Sequence, residues 1–446
     1  MKTWLKDPIA VMADGAERGL VVEDSRIVEL VGPGGPESAY DQVFDASRHA
    51  IIPGLVNTHH HFFQTLTRAH PDAINKELFP WLKTLYPLWG DHLNRDRFRL
   101  AVRVALTELL MSGCTTASDH LFVFAADMAD AVDIEAEEAA RLGMRITLTR
   151  GAINLGSKSG GIADERLMQD YDTVLADCER VLAKYHDRRE GAFSCVALAP
   201  CAPFNVTKQL MIDTAGLAET YDCRLHTHLG ETFDEDEYCL AHFGCRPLDY
   251  LEEVGWMSER VWLAHGIHFN DEEVKRLGKH RIGVCHCPTS NMVLASGICR
   301  TKELEEAGAI VGLGVDGSAS NDSSNLMEGV RHALMIGRLR YGASEVTHLD
   351  ALRWATEGSA KCLGREDIGT IAVGKQADLA LFTLDELRFS GAGDPLAALV
   401  LCGAHRADRV MIGGDWRVVD GAPVGVDIAR LRHEHGLAAR AFLEAL

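Results

Sequence analysis

The stretch Ile51-Ile52-Pro53-Gly54-Leu55-Val56-Asn57-Thr58-His59-His60-His61 decides how the rest of the chain is read. A short apolar run ends in three histidines. Side chains alternate with a period of two along a strand. Read as one buried strand, the run puts His59 and His61 on one face and His60 on the other. Two imidazoles on one face at a strand end make half of a metal site, so the question is whether the chain supplies the other half.

Working outward, residues 97–112 carry helical periodicity, with Leu100, Val104, Leu106, Leu109 and Leu110 on one side. The Gly-Cys-Thr-Thr segment 113–116 reads as a turn. Short apolar runs then alternate with helical stretches, at 145–149, 194–198, 224–228, 261–265, 282–285 and 310–315. Strand–helix alternation over about 300 residues is the signature of a parallel sheet closed into a (β/α)8 barrel. Both chain ends have a different texture. Residues 19–22 and 26–31 read as strands and lead into the turn Gly32-Pro33-Gly34-Gly35-Pro36, and 367–382 and 409–419 again read as strands. The expected class is α/β: a barrel over 53–365, a small β-sandwich domain built from both chain ends (1–52 and 366–426), and a C-terminal helix over 427–446.

The length, 446 residues, suits one barrel-sized domain plus a smaller one. The chain is 47% hydrophobic and 25% charged, an ordinary balance with no apolar run of the ~18 residues that a membrane span requires. Met1-Lys2-Thr3-Trp4-Leu5-Lys6-Asp7 has no signal-peptide apolar core, so a cytoplasmic location without membrane partners is expected. The net charge of −20 repels phosphate backbones, which argues against nucleic acid and leaves small neutral rings as substrates. Twelve cysteines scattered along the chain read as reduced thiols. The one dense cluster, Cys285-His286-Cys287, has no CxxC partner and reads as a buried strand end.

In a parallel barrel, functional groups sit where strands end. The first strand ends in His59 and His61. The run 224–228 ends His226-Thr227-His228 and continues to Glu231, another ends at His265, and the last leads to Asp316. One strand-terminal histidine among 20 carries little weight; three imidazoles, a carboxylate and an acid in this order carry much more. His226 and His228 share a face, but His228 lies nearer the mouth, so His228 is taken as the ligand and His226 as barrel filling. Asp316, directly after its strand, is preferred to Asp322. Three nitrogens and one carboxylate, with an open position for water, suit one catalytic Zn²⁺, with Fe²⁺ as a substitute. The middle strand, from Ser194 to Cys201, has no lysine to bridge a second ion. Zinc lowers the pKa of bound water from ~15.7 to ~7 and so provides hydroxide at neutral pH. Asp316 can take the proton of the attacking water, Glu231 can protonate a ring nitrogen, and His265 can steady the hydroxide.

These residues resemble the amidohydrolase superfamily, in its branch of aromatic-ring deaminases and chlorohydrolases. The resemblance rests on Pro53 to His61, His226-Thr227-His228-Leu229-Gly230-Glu231-Thr232, Ala264-His265-Gly266, His286-Cys287-Pro288-Thr289-Ser290-Asn291, Val315-Asp316-Gly317-Ser318 and the closing Gly369 to Leu379. It covers nearly the whole chain. It implies a distorted barrel, one metal on His59, His61, His228 and Asp316, catalytic roles for Glu231 and His265, and a homo-oligomer. The segments His61 to Arg68, Trp81 to Trp89, Pro200 to Phe204 and Asp316 to Asp322 look like the 8-oxoguanine deaminases, which implies conversion of 8-oxoguanine and water to uric acid and ammonia.

Gln64 offers a donor and an acceptor just past the metal, suited to an oxopurine edge. Trp81 and Trp89 are placed to roof the ring, and Cys201 to line the pocket wall. The competing readings are a hydrolase acting on another N-heterocycle (isoxanthopterin, guanine or a hydroxylated triazine) and a catalytically inactive barrel scaffold.

Overall fold

The computed structural model describes residues 1–125 and 127–444. Eight parallel strands run in sequence order around the molecule: β1 (Leu55–Asn57), β2 (Cys114–Ser118), β3 (Arg145–Ala152), β4 (Ser194–Pro200), β5 (Arg224–Leu229), β6 (Val261–His265), β7 (Gly283–His286) and β8 (Ile310–Leu313). Each pairs with the next. Helices between them cover the outside, so strands such as β3 are buried along their whole length and read as continuous rather than alternating. The seam between β1 and β8 is closed by polar groups of the opening motif. The Thr58 N–H and hydroxyl both donate to the Leu313 carbonyl (3.1 and 2.9 Å), and the Val315 N–H donates to Asn57 Oδ1 (2.9 Å).

The opening run is not one strand. His49–Pro53 belongs to a sheet outside the barrel, and β1 starts afresh at Leu55. The break falls at Gly54, whose N–H donates to Asp378 O while the Leu55 N–H donates to Gly113 O. Gly54 passes so close to the next strand that an added Cβ would lie 2.2 Å from Thr115 Cγ2. The three histidines therefore come after a three-residue strand, and they lie beyond its end.

Two further expectations are corrected. Segment 113–116 is a turn only at Gly113 (φ 99°); from Cys114 onward it is β2, because small and β-branched residues fit a strand buried on both sides. Of 367–382 only Leu379–Thr383 forms a ladder. Gly369 and Gly374 take left-handed conformations (φ 82° and 89°) that bend the preceding stretch into turns.

Strands from both chain ends form two sheets. One orders Arg26–Leu30, Gly19–Glu23, Lys2–Lys6 and Gln42–Asp45; the other contains Arg409–Ile412, Leu379–Thr383, His49–Pro53 and Ala10–Val11 side by side. Leu5, Leu20, Ile27, Ile51, Leu379, Leu381 and Met411 pack between them. The C-terminal helix, Ile428–Leu443, docks beside the opening motif: His435 Nε2 meets Thr65 Oγ1 at 3.2 Å, and His70 Nε2 donates to Phe442 O at 3.3 Å.

Candidate metal centre and active site

The barrel mouth gathers the sequence-chosen ligand set. His59 Nε2 and His61 Nε2 each lie 3.3 Å from Asp316 Oδ1, and His228 Nε2 lies 3.2 Å from His61 Nε2. His59, His61 and Asp316 are at most 4% exposed. Four ligand atoms ~2.0–2.1 Å from one ion stand ~3.3–3.4 Å apart in a tetrahedron, so these spacings fit a zinc-sized cation.

Hydrogen bonding explains why the Nε2 atoms face inward. His61 Nδ1–H donates to the His120 carbonyl (2.9 Å) and His228 Nδ1–H to the Cys201 carbonyl (2.7 Å). His59 uses a relay: His226 Nδ1–H donates to Trp262 O (2.8 Å), which leaves His226 Nε2 as an acceptor for His59 Nδ1–H, also at 2.8 Å. Each ligand ring thus has its proton on Nδ1 and its lone pair on Nε2. His59 Nε2 is buried with no hydrogen-bond partner, as a cation site requires. His226 does fill the barrel, stacked on Trp262 with ring centroids 4.3 Å apart, and it also sets the tautomer of a ligand. Burial is the first cause that holds His59, His226 and His228 neutral, with His228 pushed down to about 3.

Beside this group stand the two expected proton-handling residues. Glu231 is 4% exposed; burial first, then the Asp316 charge, raise its carboxyl above the usual range, which favours the protonated form. His265 donates from Nδ1 to Asn291 Oδ1 (3.0 Å), which turns the lone pair of Nε2 toward Glu231 Oε2 (3.5 Å) and Asp316 Oδ2 (3.9 Å). Nε2 of His265 is also close enough to His59 and His228 to complete a three-nitrogen group within 4.8 Å. His265 and Asp316 have φ of 71° and 65°, backbone strain of the kind that concentrates at functional sites. Asp316 is held by the Gly317 N–H (2.7 Å to Oδ1) and the Ser320 hydroxyl (3.3 Å to Oδ2).

A small pocket opens onto these groups. Gln64, Trp81 and Cys201 line it, together with Tyr86, Phe122 and Phe204. Trp89 does not reach it, contrary to expectation. Both tryptophans lie on helix α1 (Leu78–His92), but Trp89 is two turns on and fully buried behind Trp81, with Nε1–H donating to Thr67 Oγ1 at 3.2 Å. Cys285 and Cys287 are fully buried with Sγ atoms 3.7 Å apart, at the end of β7.

Sequence reading missed His120, whose ring stacks on His228 with centroids 4.6 Å apart and whose carbonyl orients His61. It also missed Asn291 behind His265 and Tyr86 in the pocket wall. His120 ends the run Thr115 to His120, so the strand-end rule would have found it had the segment been read as a strand. Asn291 had no such signal, since its partner is 26 positions away.

The sequence profile described as "Amidohydrolase family" matches residues 50–417. The chain is 58% identical to the 8-oxoguanine deaminase of Pseudomonas aeruginosa, over 99% of both chains. It is 32% identical to an isoxanthopterin deaminase from an unknown prokaryotic organism, over 99% of this chain and 97% of the other. The crystal structure of an atrazine chlorohydrolase from Arthrobacter aurescens TC1 complexed with zinc superposes with a TM-score of 0.90 at 28% identity, covering 98% of this chain and 99% of that one.

Proposed function

The chain belongs to the amidohydrolase family, and from that premise we propose that it hydrolyses 8-oxoguanine to uric acid and ammonia at one zinc ion per subunit. The observation that carries this reading is three imidazoles, each with Nδ1–H donated to a buried acceptor, whose Nε2 atoms converge with Asp316 beside the buried carboxyl of Glu231. The high identity to an 8-oxoguanine deaminase supports the substrate. The N3O donor set and the absence of a lysine along β4 support a single zinc.

A divalent cation held by His59, His61, His228 and Asp316 supplies Lewis acidity that makes water a nucleophile near neutral pH. Asp316, with Oδ2 facing His265, accepts the proton released by the attacking water. His265 Nε2 accepts a hydrogen bond from that same oxygen as it approaches C2 of the ring. Glu231 donates its proton to the ring nitrogen next to C2, so negative charge does not build up on the heterocycle. Asp316 passes the proton it took to the C2 amino group, which leaves as ammonia, and the proton of the new C2 hydroxyl returns to Glu231 as the carbonyl forms. Phe122, Phe204 and Trp81 keep the pocket apolar around these groups and strengthen each electrostatic contact inside it.

We take 53–365 as the catalytic unit and 1–52 with 366–426 as its flanking module, supported by the pairing of His49–Pro53 with Leu379–Thr383. No helix among the described residues is long and apolar enough to cross a membrane. Twelve free cysteines support a reducing, cytoplasmic setting. The decisive experiment is incubation of pure, zinc-loaded protein with 8-oxoguanine and assay of uric acid and ammonia. Equimolar release of both is expected. Absence of both, with ammonia released from isoxanthopterin or an aminotriazine instead, would replace the substrate and keep the chemistry.

A further inference from the structure

Behind the pocket wall, Asn205 is fully buried on the loop after β4. Its backbone carbonyl accepts the N–H groups of Asn154 and Leu155, both at 3.1 Å, which fixes the loop. Its side-chain nitrogen donates to two pocket-lining groups at once, the Tyr86 hydroxyl oxygen at 2.7 Å and Cys201 Sγ at 3.5 Å. The opposite amide orientation would place the NH2 where Oδ1 now sits without a partner, and an orphaned buried donor is the costlier of the two.

A hydroxyl and a thiol can each donate or accept. An Asn205 N–H takes one lone pair on the Tyr86 oxygen and on Cys201 Sγ; the two groups, close enough to hydrogen-bond one another, both line the pocket. Gln64 is restricted in the same sense. Its Oε1 accepts the Ala319 N–H (3.3 Å), and it lies so close to Gly317 that an added Cβ there would come within 1.9 Å of Oε1, so the amide keeps its NH2 to offer. Trp81 Nε1–H is taken by Ala319 O (3.2 Å) and the Ser320 hydroxyl by Asp316.

We propose that Asn205 biases Tyr86 and Cys201 toward donating hydrogen bonds, so that together with the Gln64 NH2 the pocket wall they form selects heterocycles whose edge carries carbonyl oxygens. This deepens the 8-oxoguanine reading: that ring presents oxygens at C6 and C8, whereas rings edged with amino groups would meet donor against donor. Tyr86 and Cys201 act as specificity-determining residues and Asn205 as the positioning residue behind them.

The test compares dissociation constants of uric acid, which has ring carbonyls on every side, and unsubstituted purine, which has none and no C2 amine to be hydrolysed. Both are measured on zinc-loaded wild type, Tyr86→Phe and Cys201→Ala, with metal content checked in each. Loss of one hydrogen bond weakens uric acid about tenfold in Tyr86→Phe and about threefold in Cys201→Ala, where the donor is weak, while unsubstituted purine stays within about twofold. The proposal is overturned if uric acid also stays within about twofold in both variants, if both ligands weaken equally, or if wild type binds the two equally. None of these outcomes depends on turnover, so a wild type that releases no ammonia from 8-oxoguanine refutes the activity reading separately.

Discussion

The two ends of the barrel bury ionisable groups in opposite ways. At the base, where β3 starts, Arg145 is fully buried and every face of its guanidinium is matched. Nε and Nη2 donate to Asp378 (2.7 and 3.1 Å), Nη2 also to Gln376 Oε1 (3.1 Å), and Nη1 to Gly191 O (2.6 Å). Arg365 grips Asp367 through Nε and Nη2, both at 2.8 Å. At the mouth, His59 Nε2 has no hydrogen-bond partner, and the Glu231 and Asp316 carboxylates share one neighbour, His265 Nε2, at 3.5 and 3.9 Å. Complete pairing ties the terminal sheets to the barrel. Incomplete pairing marks where a cation and a substrate complete the set.

This contrast can be broken by mutation. His228→Ala removes a ligand and leaves the site open: metal content by elemental analysis falls to near zero and turnover at least about a thousandfold. A fully loaded His228→Ala protein would move the ligand to His226. Glu231→Gln retains the metal and loses about 10²–10⁴-fold in kcat, because it takes away the proton and not the fold. At the other end, Asp378→Asn leaves Arg145 buried and under-compensated, and denaturant titration shows a loss of about 3–5 kcal/mol, while turnover per folded molecule is unchanged. His226→Gln tests the relay. It removes a tautomer-setting partner, so zinc affinity in a competition titration falls about 10–100-fold without loss of fold.

The smallest effect sharpens the comparison from between the two ends. Asp119, one residue before His120, accepts the Phe62 N–H at 2.7 Å and faces Glu135 of helix Ala131–Leu142. Burial, in both cases the main cause, pushes Asp119 up to about 6 and Glu135 well above the usual carboxyl range. Because its folded pKa is raised, Asp119 favours the folded state below about pH 4 and loses that contribution as pH rises through about 6, and Glu135 acts in the same direction. Burial favours the neutral form of Glu135, so Glu135→Gln flattens the fall of unfolding midpoints as pH rises above about 4, and the variant gains on wild type toward neutral pH.

The barrel and the gathering of His59, His61, His228 and Asp316 at its mouth were legible because strand–helix alternation and strand-terminal placement are local properties. His59, His61, His228 and Asp316 could each be read from the few residues before them. The expectation of His228 rather than His226 as ligand rested only on its place nearer the mouth, and the His226 hydrogen bond to His59 Nδ1 is in keeping with it. What local pattern hid was anything governed by a second sheet or a distant partner. The run from Ile51 looked continuous, although Gly54 hands the chain from one sheet to another. Gly113 to Thr116 looked like a turn because glycine and small polar residues dominate it, although packing on both faces makes most of it a strand. Trp89 looked equivalent to Trp81 until helix geometry turned it behind its neighbour.

The chain by itself determined which residue types stand at which strand ends, and with them the class of chemistry, because ligand identity and strand periodicity are written in consecutive positions. Only the folded molecule decided which nitrogen of each imidazole faces inward, that His226 orders His59, that Asn291 orders His265, and that Asn205 orients Tyr86 and Cys201. A tautomer depends on the hydrogen bond at the other ring nitrogen, and those partners come from strands and loops up to 167 positions away.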